Sequence, residues 1–289
     1  MKNRNLLSSF TNEASCPQLS YEDNPSMNRI SCSTHADFSF VRCIFFGHPT
    51  NPTADIGGAI CIINEGSSLT VESCKFGSLI ASTSAGAIYT KDVSPVSFKH
   101  SLFDRCSSPT DLTGSSGAIK IADSTQPLIQ NCLFTSCTTF GDGGAVYLSR
   151  GRCSSNNGIA VQNSRFVSCK CTGETTGDGA DGGGLMTWAN EQLLGIRNCL
   201  FSHCYCYKGA GVCLYVPDDS SLTHFKFGFF IKNAGSFGND VFVNVAYGSG
   251  WGSVFSHTCT TGAVHPLGDN YLSPEHVENN WFPQTHINT

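Results

Sequence analysis

The sequence predicts an all-β fold: a right-handed, single-stranded parallel β-helix, or β-solenoid, of about seven coils with irregular N- and C-terminal caps. Three observations predict it. A unit typified by Asn131 to Leu148, NCLFTSCTTFGDGGAVYL, recurs with its Phe at 40, 76, 103, 134, 166, 201 and 230. The spacing of roughly 27 to 36 residues is the range of solenoid repeats. Each unit also carries short stretches of period-two apolar alternation, and like residues recur at like offsets, as stacked parallel strands require. Finally, the chain has 30 glycines and 3 methionines, a balance that suits turn-rich strands better than helices.

The columns justify each side of the coil. Five residues before each Phe stand Val71, Phe98, Ile129, Val161, Ile196 and Phe225, all apolar. Two before stand only small residues: Cys74, Ser101, Cys132, Ser164, Cys199 and Gly228. Three after stand Cys43, Cys106, Cys137, Cys169 and Cys204, with Leu79 and Asn233 as exceptions. A second strand is entered through Ile60, Ile88, Ile119, Val146, Leu185, Val212 and Val241, with Ile62, Thr90, Ile121, Leu148, Thr187, Leu214 and Val243 two residues on. Offsets −5 and −2 differ in parity, as do 0 and +3, and a straight strand would point such pairs to opposite faces. A bend or bulge between them is therefore expected, and the glycines before each aliphatic fit a loop returning at positive φ. One coil cannot bury its own apolar face, so neighbours must stack. The handedness follows from the near-universal right-handed crossover between parallel strands.

Gly57-Gly58-Ala59-Ile60 and Gly143-Gly144-Ala145-Val146, with Ala85-Gly86-Ala87-Ile88 and Ser116-Gly117-Ala118-Ile119 as weaker copies, resemble the Gly-Gly-Ala-aliphatic repeat of the chlamydial polymorphic membrane proteins. The Phe-x-x-Cys series stands where that family has Phe-x-x-Asn, and Phe230 to Asn233 keeps the family's form. The resemblance covers residues 38 to 245. It implies a β-helical passenger used as an adhesin and exported through a C-terminal membrane barrel.

Three regions are expected. Residues 1–36, with Pro17 and Pro25, read as an N-terminal cap or arm; residues 37–245 carry the repeats; residues 246–289 read as a C-terminal cap or docking tail. Solenoid ends expose strand edges and need such covers. No apolar run approaches the roughly 18 residues of a membrane helix, and Met1 to Ser20 lacks the apolar stretch of a secretory signal. These features point to an intracellular protein, or a cell-surface one if the start has been trimmed. With 13% charged residues, a net charge of −5 and no basic stripe, nucleic-acid binding is not expected.

Sixteen cysteines could signal a disulfide framework, but most fall where a small apolar side chain is wanted, and free thiols are the expected state. Cys169-x-Cys171 and Cys204-x-Cys206 recur in consecutive coils beside His203. In register they would set four sulfurs in a small rectangle, a donor set of the zinc or iron–sulfur type. A flat ladder does not give a tetrahedron, so packing is the expected role and neither a metal nor a cofactor is expected. Carbohydrate-active β-helices set carboxylates together on one outer face; no acid here is expected to recur at matching offsets in adjacent coils, and the acids, Asp178, Asp181, Asp218 and Asp219 among them, read as solvated loop carboxylates. The stretch Asp178-Gly179-Ala180-Asp181-Gly182 lacks the ordered oxygen repeat of a calcium loop.

Outward positions of the Gly-led strand include Tyr89, Lys120, Tyr147 and Met186, an aromatic-bearing wall suited to protein contact. Trp281 and Phe282 add an apolar point in the tail. The expected function is a non-catalytic structural or protein-interaction module, its partners other proteins in a larger assembly such as a cytoskeletal filament. An adhesin-like surface protein and a carbohydrate-active lyase or hydrolase are the alternatives.

Overall fold

The structure is a computed structural model that describes residues 30–32, 36–47, 56–109, 115–124, 127–151, 160–173, 180–189, 194–216, 223–226, 229–237, 240–245, 253–256, 259–260 and 264–267. One turn shows the plan. Pro127–Gln130, Leu133–Thr135, Thr138–Thr139 and Val146–Gly151 are four short strands on four sides of a coil. Each pairs, parallel and in register, with its counterparts one turn before and after. Stacking the turns makes a right-handed β-solenoid with four sheets. Among the described residues, the Gly-led sheet has nine strands, the sheet of Pro127–Gln130 and the Phe sheet eight each, and the short sheet of Thr138–Thr139 five. Five turns thus carry all four sides, which corrects the expected coil count slightly.

The core is the Phe ladder. Phe45, Phe76, Phe103, Phe134, Phe166, Phe201 and Phe230 stack with ring centroids 4.6 to 5.1 Å apart and planes within 2° to 11° of parallel. That spacing is the rung spacing of a β-sheet, so the rings repeat at the pitch of the backbone. The first member corrects the sequence reading. Phe40 is not in the ladder; it pairs with Val71 in the −5 column, and Phe45 pairs with Phe76. Phe40 still meets Phe45 edge to face at 5.9 Å. Cys43 accordingly belongs two residues before the ladder, with Cys74 and Cys132, and not three after.

The parity puzzle resolves at two corners per turn. Arg42, Ser73, His100, Asn131, Asn163 and Asn198, three residues before the ladder, have φ between +50° and +55°. Ser78, Arg105, Ser136, Ser168, His203 and Lys232, two residues after it, have φ between +51° and +55°. One left-handed residue turns the strand without adding length, so positions −5, −2, 0 and +3 all point inward. Asn tolerates this conformation better than most residues, and the corner side chains form an outer ladder. Asn198 Nδ2 donates to Asn163 Oδ1 at 3.0 Å, and Asn131 Nδ2 to His100 Nε2 at 2.9 Å.

Small hydrogen-bonding residues at −2 satisfy backbone groups freed by the corner. Ser164 Oγ accepts from the Cys132 N–H at 3.2 Å and donates to the Gln162 carbonyl at 2.9 Å. Ser101 does the same for Cys74 N–H and the Lys99 carbonyl. The glycine before the alanine is required by close approach at Gly144, where a Cβ would lie 2.0 Å from the Gly183 carbonyl oxygen and 2.8 Å from the Lys170 backbone, and likewise at Gly86 and Gly117 of the weaker copies.

Strand pairing runs past both boundaries of the 37–245 repeat region. Ile30–Cys32 pairs with Ile60–Ile63. Ser253–Ser256, Cys259–Thr260 and Val264–Leu267 pair with the preceding turn.

Candidate interaction surface

The interior is occupied by packing groups. Among the residues whose side chains are described, twelve cysteines are free and buried. Cys106, Cys137, Cys169 and Cys204 form the +3 column, each thiol lying 3.6 to 3.8 Å from the carbonyl of the ladder Phe one turn back, to which it donates. Asn233 ends the column: its Nδ2 donates to the Phe201 carbonyl at 3.1 Å and its Oδ1 accepts from the Cys204 N–H at 2.9 Å. Cys and Asn thus do the same backbone work there, and Asn233 also donates to buried Asp240 at 2.9 Å. The four sulfurs of the two Cys-x-Cys pairs do not form one rectangle. Cys169 and Cys204 pack in the main core, while Cys171 and Cys206 pack with Ala180 and Ala210 in a separate cluster. Both members of each pair follow the left-handed corner at Ser168 or His203, and the second lies in the short fourth sheet. Among the described residues, no three His, Cys, Asp or Glu side chains converge as a metal-holding group. Burial, and then the neighbouring thiol, pushes Cys137, Cys169 and Cys204 well above the ordinary thiol range. Such thiols stay protonated and unreactive at neutral pH.

The outer wall of the Gly-led sheet is partly closed. Lys120 Nζ sits over the rings of Tyr89 and Tyr147, 5.7 and 5.4 Å from their centroids, a cation held between two aromatic faces. Tyr89 is half-buried, and burial raises its phenol pKa. Tyr147 and Met186, expected as exposed wall, are buried in a small cluster with Cys213. The return turn before each strand lies against its start: a Cβ on Gly182 would be 2.8 Å from Met186 Cα, and one on Gly143 3.0 Å from Tyr147 Cβ. Tyr89 and Lys120 are therefore the two of the four that face solvent in part. Trp281 and Phe282 lie outside the described residues.

Two acids do recur at matching positions, contrary to the expectation from sequence. Asp142 and Asp181 each stand four residues before the Gly-led strand, and the Asp181 N–H donates to Asp142 Oδ1 at 3.2 Å. Lys208 occupies the same place one turn on and pairs by a β-bridge with Asp181. Its Nζ is 3.8 Å from Asp181 Oδ2, with the two side chains 13% and 4% exposed. An ion pair so enclosed clasps successive return turns and gives a polymeric substrate no access to the Asp181 carboxylate.

Of the eight large apolar side chains exposed among the described residues, four lie on the outer wall of the Phe sheet, while Val41, Ile63, Trp188 and Tyr205 are spread over the other three sheets. Immediately before and after the first ladder ring stand Ile44 and Phe46, 53% and 46% exposed; around the last stand Phe229 and Ile231, 52% and 39% exposed. Between them the same column holds half-buried Leu102, Leu133 and Leu200, interrupted by exposed Lys75 and Arg165. Phe46 lies over Gly77, where a Cβ would meet its ring at 2.4 Å, and Lys75 Nζ caps the ring at 5.4 Å from its centroid. Apolar patches of this kind mark contact sites. The signal was in the sequence, in the residues flanking each Phe. Placing the first rung at Phe40 hid its strongest members.

Comparison with curated proteins and with solved structures returns no match. A family model described as the right-handed beta helix region matches residues 28–249, most of the chain and nearly all of the paired turns, and the protein belongs to that family.

Proposed function

We propose that this chain is a non-catalytic scaffold, a rigid solenoid that presents an outer wall to protein partners within a larger assembly. The observation that carries this reading is the pair of exposed apolar ends on the outer wall of the Phe sheet, Ile44 with Phe46 and Phe229 with Ile231. The interior supports it, because buried protonated thiols and stacked rings are suited to holding shape. The enclosed Asp181–Lys208 pair supports it too, since the stacked acids stabilise turns. The Gly-Gly-Ala and Phe-x-x-Asn-like motifs support placing these repeats with the polymorphic membrane protein type, and each has a physical reason here: close backbone approach for the glycine, carbonyl capture for the +3 residue.

The test is co-purification from extract of the source cells under mild conditions, comparing the native chain with an Ile44→Asp/Phe229→Asp variant. The native chain is expected in a complex that the variant leaves. Recovery of the native chain only as a free monomer, or identical complexes from both, would overturn the reading.

A further inference from the structure

The outer wall of the Phe sheet has a pattern along its length. Of the eight rungs of this sheet, seven carry a ladder ring, from Phe45 to Phe230, and Cys259–Thr260 adds one more beyond Phe230; Phe134 is the middle of the seven ring-bearing rungs, with three on each side. The first and last ring-bearing rungs present Ile44 with Phe46, and Phe229 with Ile231. The middle rung presents Leu133 and Thr135. One rung to one side stands Asp104, and one rung to the other stands Arg165. Apolar pairs thus sit at equal distances from a neutral centre, with opposite charges at equal distances between.

We propose that this wall is where two copies of the chain pack face to face with their solenoid axes antiparallel, about a two-fold axis along the strand through Leu133 and Thr135. The proposal rests on the interaction reading above and names the partner as a second copy. Under that axis Ile44 faces Phe229 of the other copy and Phe46 faces Ile231, so each exposed apolar end is covered by the opposite end. Leu133 and Thr135 meet their own counterparts, as residues on a two-fold must. The rung of Asp104 faces the rung of Arg165, putting each carboxylate diagonally across from a guanidinium. The other face-to-face two-fold, along the solenoid axis, would set every rung against itself. It would bring Asp104 towards Asp104, Lys75 towards Lys75 and Arg165 towards Arg165, and like charges so placed oppose association. The charge pattern therefore selects the antiparallel arrangement.

Two further features fit. Successive ladder rings repeat at 4.6 to 5.1 Å, so the rungs are evenly spaced and can be matched rung for rung across the axis. Counting both left-handed corners, the ring-bearing part of the wall is about six residues wide and seven rungs long, roughly 20 by 30 Å from standard strand spacings, or at most roughly 600 Å² per copy. That lies at the low end for specific interfaces, so the dimer is a reversible one. Asp104 already accepts from Arg105 Nε at 3.0 Å and from Thr135 Oγ1 at 2.7 Å, which holds the carboxylate in place for a third donor.

The experiment uses the full chain, with light scattering after size exclusion and sedimentation velocity over a concentration series, and circular dichroism to confirm folding of each variant. The mass is expected to rise from one copy to two with concentration. Leu133→Arg places two guanidinium groups on the axis and is expected to weaken the dimer by about tenfold or more. Arg165→Asp opposes two carboxylates and weakens it as well, while Asp104→Arg combined with Arg165→Asp restores the complementary pair and the dimer. A purely structural role for these side chains would not produce that restoration. A mass of one copy at every concentration, or a double swap no tighter than the single one, overturns the proposal. If the chain is monomeric yet the Ile44→Asp/Phe229→Asp variant still loses its partner from extract, self-pairing fails and the interaction reading stands; if neither occurs, both fail.

Discussion

Truncating Phe134 to Ala tests the architecture where it is most constrained. The ring is fully buried and stacks on Phe103 at 4.9 Å and Phe166 at 4.8 Å. Phe→Ala in a core costs about 3–5 kcal/mol, part transfer and part residual cavity. The two stacking contacts contribute about 0.5–1.5 kcal/mol each beyond area burial. The registered backbone on both sides limits collapse into the space, so we expect the upper part of the range, about 5 kcal/mol. Because solenoid stability is close to a sum of turn and neighbour terms, removing a middle ring weakens two interfaces together. The urea transition should then move to lower denaturant and broaden, with a smaller slope as the two halves lose cooperativity. Phe134→Leu keeps most of the volume and should cost less than half as much. Tyr205→Ala is the control: its side chain is 52% exposed, and its loss should stay within about 1 kcal/mol. A Phe134→Ala cost below about 2 kcal/mol, or one indistinguishable from the control, would show that the ring ladder does not hold the turns together.

Gly144→Ala should prevent stable folding or lower the melting temperature sharply, since its Cβ would sit 2.0 Å from a backbone oxygen; a thermal melt near that of the native chain would contradict the close-approach account. At the left-handed corner, Asn131→Val should cost about 1–2 kcal/mol while Asn131→Gly stays near neutral, as read by equilibrium unfolding. Asn233→Ala removes the hydrogen bonds to the Asp240 carboxyl, the Phe201 carbonyl and the Cys204 N–H and should cost about 2–4 kcal/mol, whereas loss of a surface residue would not. Stability should fall as pH rises above 9. Burial pushes the Cys132 and Cys199 thiols up to about 11 and about 12, from a usual 9.0, so the unfolded chain loses these protons first. Their contribution is complete below pH 9 and is lost as pH climbs through 11 to 12. A urea midpoint flat from pH 8 to 11, tested within that window, would refute the assignment.

How far the sequence could be read depended on where one counted from. The Phe, Cys and aliphatic columns were plain because stacked turns force the same side chain to the same place, and even the corners showed as a break in parity before φ was known. The first rung was misplaced because Phe38, Phe40, Phe45 and Phe46 crowd together and the −5 column accepts Phe as readily as the ladder does, as Phe98 shows. The Asp142–Asp181 pair was missed because the loop after each Phe varies in length. Counted forward from Phe134 and Phe166 the acids do not align; counted back from Val146 and Leu185 they do. Strand alternation placed Tyr147 and Met186 outside, as it should, but alternation says nothing about a return turn folding down over them. The apolar outer wall was legible in principle, one residue either side of each ring, once the ladder itself was in the right frame.

The paired left-handed corners have a consequence for how such a molecule can vary. Each turn closes on itself before the next begins, so the chain advances along its axis by one rung however long the excursion between sides. A segment such as the one from Phe103 to Phe134 could be duplicated or removed whole, and the solenoid would grow or shrink by about 4.8 Å with every remaining contact intact. Length here behaves like a count, and evolution can adjust the reach of the protein in whole steps without redesigning its core.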